Sequence, residues 1–257
     1  MTLRPHHTLA LCLALAVPLA AQQTHDAPAI PAPIRNLIVL DPAHGGSDSG
    51  AHLTDSLLEK DLTLALAGRL KSTLTAHGFQ VITTRDGDTG PTSDQRAELA
   101  NHARASVCLL LHASNSGSGA YLAASSLTPS DDEHIALPWD TAQSAYVGDS
   151  ASLLDLASKA FTSARVPAIT LRSSVPPIDS LTCPALLLEL APNGRTPVTS
   201  ADYQQSVADA LTAAITAFRD QNDTTLKNAA PIPTPPPTPV KPKVPRPVTP
   251  KTPGAAQ

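Results

Sequence analysis

The chain is 257 residues long and carries 18 basic and 22 acidic residues, a formal net charge of −4. Five of the bases (Arg4, Lys241, Lys243, Arg246 and Lys251) sit towards the two ends and every acid lies between them, so the middle of the chain carries about −9. That sign argues against nucleic acid as a partner, and the length allows one or two domains.

Residues 1–21 place Arg4 ahead of an apolar run that finishes in small residues. This is the layout of a secretory signal peptide, and the run is too short for a comfortable membrane span. Residues 22–35, including the Pro/Ala stretch Ala27–Pro33, read as a linker. At the other end, residues 222–257 are expected to be a disordered basic tail. From Ala229 onwards it holds eleven of the 26 prolines, four bases and no acid. Such a composition builds no core and favours extended polyproline II, at ~3.1 Å per residue. It serves as a plain spacer or as a contact to an anionic envelope polymer. The expected folded domain is 36–221, with room for a sizeable core. Two cysteines remain after the signal, Cys108 and Cys183. In an exported protein they form a disulfide or stay as two buried thiols, and both readings remain open.

Within the domain, Leu37–Asp41 is an apolar run that ends in a polar, glycine-rich loop, Pro42-Ala43-His44-Gly45-Gly46. That pattern predicts a buried strand delivering a side chain to a sheet edge. Leu62, Leu66, Leu70 and Leu74 recur at spacing four and predict a helix that opens near Glu59 and stops at Gly78. Phe79–Arg85 alternates as a strand, and Thr92-Ser93-Asp94 caps a helix over about 94–104. Val107–His112 is a second apolar run ending in histidine, and Ala120–Ala124 is a short strand. A helix is expected around Ala151–Phe161, then strands at Ala168–Arg172 and Pro184–Leu190. Ser200–Gln221 closes the domain as an amphipathic helix with Tyr203, Val207, Leu211, Ile215 and Phe218 on one stripe. Strands alternating with helices define an α/β fold, a single domain with a mostly parallel central sheet flanked by helices.

Four groups stand out by placement. His44 lies just past one buried strand, His112 at the end of another, Glu189 near the end of a third, and Glu59 at the start of a helix. In a parallel sheet, strand carboxyl ends and following helix N-termini share one edge, where such folds bind ligands. Two imidazoles and a carboxylate are a catalytic zinc set with one position left for water, and a further carboxylate nearby can shuttle the proton. Taken singly, each residue has a plainer reading. His44 could brace a loop, His112 could be an ordinary strand-end histidine and Glu59 could answer the helix dipole. Glu189 stands inside an apolar strand, where a carboxylate is costly without a partner.

Several ordered blocks resemble the zinc-dependent N-acetylmuramoyl-L-alanine amidases over about residues 36–218. They are LIVLDPAHGGSDSGA, then LLEKDLTLALAGRL, then the TRxxD pattern at Arg85 and Asp88. The RxxxAN pattern follows at Arg96, Ala100 and Asn101, then VCLLLHASNS and CPALLLEL. The resemblance implies a Zn²⁺ site at the carboxyl edge of the strands, with His44, Glu59 and His112 as metal ligands and Glu189 as the catalytic carboxylate. It implies hydrolysis of the amide between N-acetylmuramic acid and the L-alanine of the peptidoglycan stem. It also implies export to the periplasm or cell envelope of a bacterium. Asn115 and Arg172 are the expected substrate residues, peptidoglycan the expected partner, and an activator protein or envelope polymer an expected contact of the tail. The chain departs from the family at Ala43, where glycine is usual, at Ser114, which displaces Asn115 by one, and after Glu189, where Ala191-Pro192-Asn193-Gly194 stand. The acid-rich stretch Ser125–Ser150, with Asp131-Asp132-Glu133, is either a cover over the site, as an inserted helix is in some relatives, or a surface loop. The alternatives are a catalytically weak wall-binding protein and a zinc peptidase or amidase of different substrate.

Overall fold

The computed structural model describes residues 33–130 and 137–228. The signal peptide, most of the linker, Asp131-Asp132-Glu133 and the tail from Ala229 lie outside these residues. The order of elements is β1 (Leu37–Pro42), β2 (His52–Thr54), β3 (Leu57–Leu58), α1 (Glu59–Ala76), β4 (Gln80–Thr83), α2 (Ser93–Ala103), β5 (Val107–Ala113) and β6 (Ala120–Ser125). A 3₁₀ helix at Trp139–Tyr146 then leads into α3 (Val147–Ser163), β7 (Ala168–Ser173), a short 3₁₀ turn at Ile178–Ser180, β8 (Ala185–Leu190) and α4 (Ala201–Asn228).

Six strands form one sheet in the order β4-β1-β5-β8-β6-β7. The first four are mutually parallel. β6 runs against β8 and pairs in parallel with β7, so the two outermost strands on that side are reversed. β1, β5 and β8 are buried on both faces, which is why they read as unbroken apolar runs. Their alternate residues feed two cores. Ile38, Leu40, Leu109, Leu111, Leu186 and Leu188 pack against α1, α3 and α4. Val39, Cys108, Leu110 and Leu187 pack against Ala97 and Ala100 of α2 and against Ile178 and Leu181.

The helices follow their sequence stripes. Leu62, Leu66, Leu70 and Leu74 are all buried beneath α1, each contributing about 2 kcal/mol by leaving water. Gly78 takes φ +83 just past the end of α1, a conformation that suits glycine. α2 begins with a capping box: the Thr92 hydroxyl accepts from Gln95 N, and the Gln95 side chain accepts from Thr92 N. α4 buries Tyr203, Val207, Leu211, Ile215 and Phe218 and runs beyond the expected end at Gln221 to Asn228. Residues 222–228 contain no proline, and the first helix-breaking one is Pro231. The β2–β3 hairpin was not foreseen, because its strands are too short for a periodic signal.

Cys108 on β5 and Cys183 ahead of β8 form a disulfide with Cα atoms 6.1 Å apart, which resolves the two open readings of these cysteines. Asn101 fastens the same corner: its amide donates to Ser180 O at 2.9 Å and accepts from Thr182 N at 2.8 Å. The described parts of Ser125–Ser150 pack on this side too. Gln143 Nε2 donates to Cys183 O at 3.0 Å, Ser150 Oγ accepts from Ala185 N at 2.9 Å, and Trp139 Nε1 reaches Asp94 at 3.4 Å. β6 is reversed, so this segment leaves the sheet at the edge away from the carboxyl ends of β1, β5 and β8.

Candidate metal centre

β1 ends at Pro42, and two residues later His44 stands in the left-handed region at φ +62. A side chain other than glycine costs about 1–2 kcal/mol in that conformation. Two arginines hold the turn in it. Arg96 donates from Nη1 to Asp41 Oδ1 (2.7 Å) and Pro42 O (2.9 Å), and from Nη2 to His44 O (2.7 Å). Arg85 donates from Nε to Pro42 O and from Nη2 to Ala43 O, both at 2.9 Å, and also to Lys60 O at 2.7 Å. Lys60 Nζ closes the far side of the loop on Gly46 O and Asp88, and Asp88 accepts from Gly46 N at 2.8 Å. The basic and acidic residues of the TRxxD and RxxxAN patterns are therefore clamps on the loop that carries His44. Ala43 fits its place without strain. It is buried, donates to Leu111 O and accepts from Thr63 Oγ1, while the positive φ falls on its neighbour.

Glu59 opens α1 and is 5% exposed. Its Oε2 lies 3.1 Å from His44 Nε2 and its Oε1 lies 3.0 Å from His112 Nδ1. The same two oxygens accept from Ala51 N (2.9 Å) and Ala113 N (3.1 Å). Burial opposes charge on this carboxyl, yet the hydrogen bonds from His112, Ala51 and Ala113 and the nearby His44 outweigh it and hold its pKa below the ordinary value. The two imidazoles meet edge to face with centroids 5.4 Å apart. Gly50, at φ +63, passes so close that a Cβ there would lie 2.6 Å from both Glu59 Oε2 and His44 Cδ2.

One nitrogen or oxygen from each of His44, Glu59 and His112 lies within 4.8 Å of the others, a set that can hold a metal ion. The donor set, two imidazole nitrogens and a carboxylate oxygen, suits zinc. Glu189 is the neighbour of His112 across the β5–β8 pairing, and the shared register puts both side chains on one face. It is half-buried and makes no hydrogen bond or ion pair among the described residues.

The two expected substrate residues part company. Asn115 lies three residues past His112, its amide donating to His52 O on β2 at 2.8 Å. Arg172 is not brought there. It pairs with Ala124 near the end of the reversed strand β7, at the opposite edge of the sheet, and its guanidinium reaches Leu127 O at 3.3 Å. Strand reversal is invisible in a periodic pattern, and it is what carries Arg172 away. Sequence reasoning also gave no task to Asp48, whose Oδ2 lies 2.8 Å from His44 Nδ1. Its spacing of four from a loop histidine was the available signal. An apolar cavity of about 450 Å³, lined in part by Phe79, Tyr146, Ile215 and Phe218, lies at the far pole and contains none of the cluster.

A two-histidine, one-carboxylate cluster with its carboxylate buried, beside a free carboxylate on the carboxyl edge of a mostly parallel sheet, is the arrangement of a metal-dependent hydrolase. Comparison with known proteins narrows the class: residues 38–217 match the N-acetylmuramoyl-L-alanine amidase family, and the chain belongs to it. It is 38% identical over 79 residues to the N-acetylmuramoyl-L-alanine amidase AmiA of Escherichia coli, covering 31% of this chain and 27% of that protein. It is also 38% identical over 90 residues to the germination-specific N-acetylmuramoyl-L-alanine amidase of Bacillus subtilis, covering 30% and 38%. These matches span well under two thirds of either relative. Among solved structures, the catalytic domain of the amidase CwlV from Bacillus (Paenibacillus) polymyxa var. colistinus superposes with a TM-score of 0.58. The identity is 25%, and the superposition covers 73% of this chain and 99% of that one.

Proposed function

We propose that the protein is a zinc-dependent hydrolase that cuts the amide between N-acetylmuramic acid and the L-alanine of the peptidoglycan stem peptide. The observation that carries this reading is the unpartnered Glu189 carboxylate set in register beside His112, next to the His44–Glu59–His112 cluster.

His44, Glu59 and His112 would hold the ion. Zinc held there would supply Lewis acidity, polarising a carbonyl and acidifying water. Glu189 takes the proton from the attacking water as the water oxygen bonds to the amide carbon. The same carboxyl then passes that proton to the departing alanine nitrogen as the carbon–nitrogen bond breaks. Among the described residues Glu189 forms no ion pair, so none of their cations competes for it. Asn115, three residues past His112, would meet the substrate. No serine or cysteine nucleophile is required, and both mature-chain cysteines are committed to the disulfide.

Residues 1–21 direct export in this reading, and a disulfide suits an oxidising compartment such as the periplasm or cell envelope. No helix among the described residues is long and apolar enough to cross a membrane. The basic, proline-rich tail would contact an anionic envelope polymer or an activator protein. Digestion of purified peptidoglycan followed by mass spectrometry tests the central reading. Free stem peptides beginning with L-alanine are expected. Cuts within the stem would identify a peptidase instead, and no release would leave a wall-binding protein.

A further inference from the structure

We propose that Asp48 is a positioning residue for metal binding, fixing which nitrogen of His44 carries the proton and which faces the ion. This rests on the metal-centre reading above.

Of the three cluster residues, Glu59 and His112 stand on regular elements, the start of α1 and the end of β5. His44 alone stands on a loop. Backbone clamps fix its Cα but leave the ring free to rotate about two bonds. Asp48 supplies what is missing. Its Oδ2 lies 2.8 Å from His44 Nδ1, and its Oδ1 accepts from Gly50 N at 3.1 Å. The backbone closes the same turn, with Gly45 N donating to Asp48 O at 2.8 Å and Asp48 N to Gly45 O at 3.1 Å. The Asp48 side chain is 67% exposed, yet it is bonded at both oxygens.

The chemistry follows from the inventory of donors. A carboxylate only accepts, and neutral imidazole has one N–H and one lone pair. With an ion in the proton's place between Nε2 and Glu59 Oε2, 3.1 Å apart, Asp48 would hold the remaining ring proton on Nδ1. Free histidine in water prefers the other tautomer, with its proton on the nitrogen needed here as a ligand. A carboxylate behind a ligating histidine also raises the basicity of the ligand nitrogen.

The test uses the full chain and zinc alone, in competition with a chromophoric chelator at fixed pH. Asp48→Ala is expected to weaken zinc binding by ~10–100-fold. Asp48→Asn, isosteric but with one acceptor oxygen for two N–H donors, is expected to weaken it as well, and it guards against a failure of the alanine variant to fold. In parallel, ¹H–¹⁵N spectra of the zinc-saturated protein should show a His44 Nδ1 proton protected from exchange with water in the wild type and exchanging faster in Asp48→Ala. A purely structural role for Asp48 would not change that exchange. Zinc affinity unchanged in both folded variants overturns the proposal, as does a loss of affinity with the exchange of the Nδ1 proton unchanged. None of these readouts involves peptidoglycan, so an inert wall-binding protein could still show them. Failure of the amidase reading is thereby separable from failure of this one.

Discussion

Arg96 grips His44 through its backbone: Nη2 donates to the His44 carbonyl and Nη1 to the Asp41 carboxylate, each at 2.7 Å. One buried guanidinium thus ties the end of β1 to the turn that presents the first histidine. Removing it leaves Asp41 buried without its counter-charge. Arg96→Ala should cost about 3–5 kcal/mol in urea unfolding of the zinc-free protein. Arg96→Lys should recover only part of this, because a single ammonium cannot reproduce the planar fork that reaches Asp41, Pro42 and His44 together.

Gly50→Ala is expected to empty the metal site. The new methyl would lie 2.6 Å from both Glu59 Oε2 and His44 Cδ2, at a φ of +63 that disfavours any side chain. Zinc content of the purified variant, measured by atomic absorption, should fall far below one ion per chain. A full complement of zinc would show that the loop can retreat from the cluster.

Glu189→Gln should keep its zinc and lose hydrolysis by ~10²–10⁴-fold, the usual weight of a general acid–base group. The amide side chain matches the carboxylate in shape and cannot accept the water proton. If the metal is lost along with the activity, Glu189 belongs to the ligand set and the mechanism must be redrawn.

Tyr203 on α4 donates to Ala191 O at 3.0 Å, just after the strand that carries Glu189. Burial pushes its phenol up from an ordinary value of 10 to about 12. The folded protein holds this proton more tightly than the unfolded chain does. Its contribution is therefore whole below pH 10 and drains away as the pH rises towards 12. Tyr203→Phe should lose about 1 kcal/mol at neutral pH from the missing hydrogen bond. It should also lack this part of the alkaline destabilisation, so the two unfolding curves should converge as the pH is raised.

The Cys108–Cys183 bridge closes a span of 75 residues. Replacing both cysteines with alanine frees that loop in the unfolded chain and should lower stability by about 4 kcal/mol in denaturant titration. Zinc binding should survive, since Cys108 sits at the start of β5 and His112 at its far end, and Cys183 lies ahead of β8 at that same remote edge.

The parts of this architecture that were legible in the sequence are those with a periodic signal or a burial conflict. Leu37–Leu40, Val107–Leu111 and Ala185–Leu188 are apolar runs long enough to name buried strands. The leucines of α1 repeat at spacing four, and Glu189 is conspicuous because a carboxylate does not belong in such a strand. Strand direction leaves no trace in composition, so the reversal of β6 and β7, and with it the true place of Arg172, had to come from the register. The tasks of Arg85, Arg96 and Asp48 were equally hidden. Arg85 and Arg96 act mainly on backbone carbonyls and Asp48 on a ring nitrogen, and only Asp48 is close in sequence to the loop atoms it holds. Motif matching flagged both arginines but could not distinguish a substrate contact from a clamp.

Arg35, just before β1, pairs with Asp223 near the end of α4 at 3.2 Å, so the described chain starts and finishes side by side at the pole opposite His44. Both exits of the described chain thus share one pole, and the edge that carries His44, Glu59 and His112 is left clear at the other.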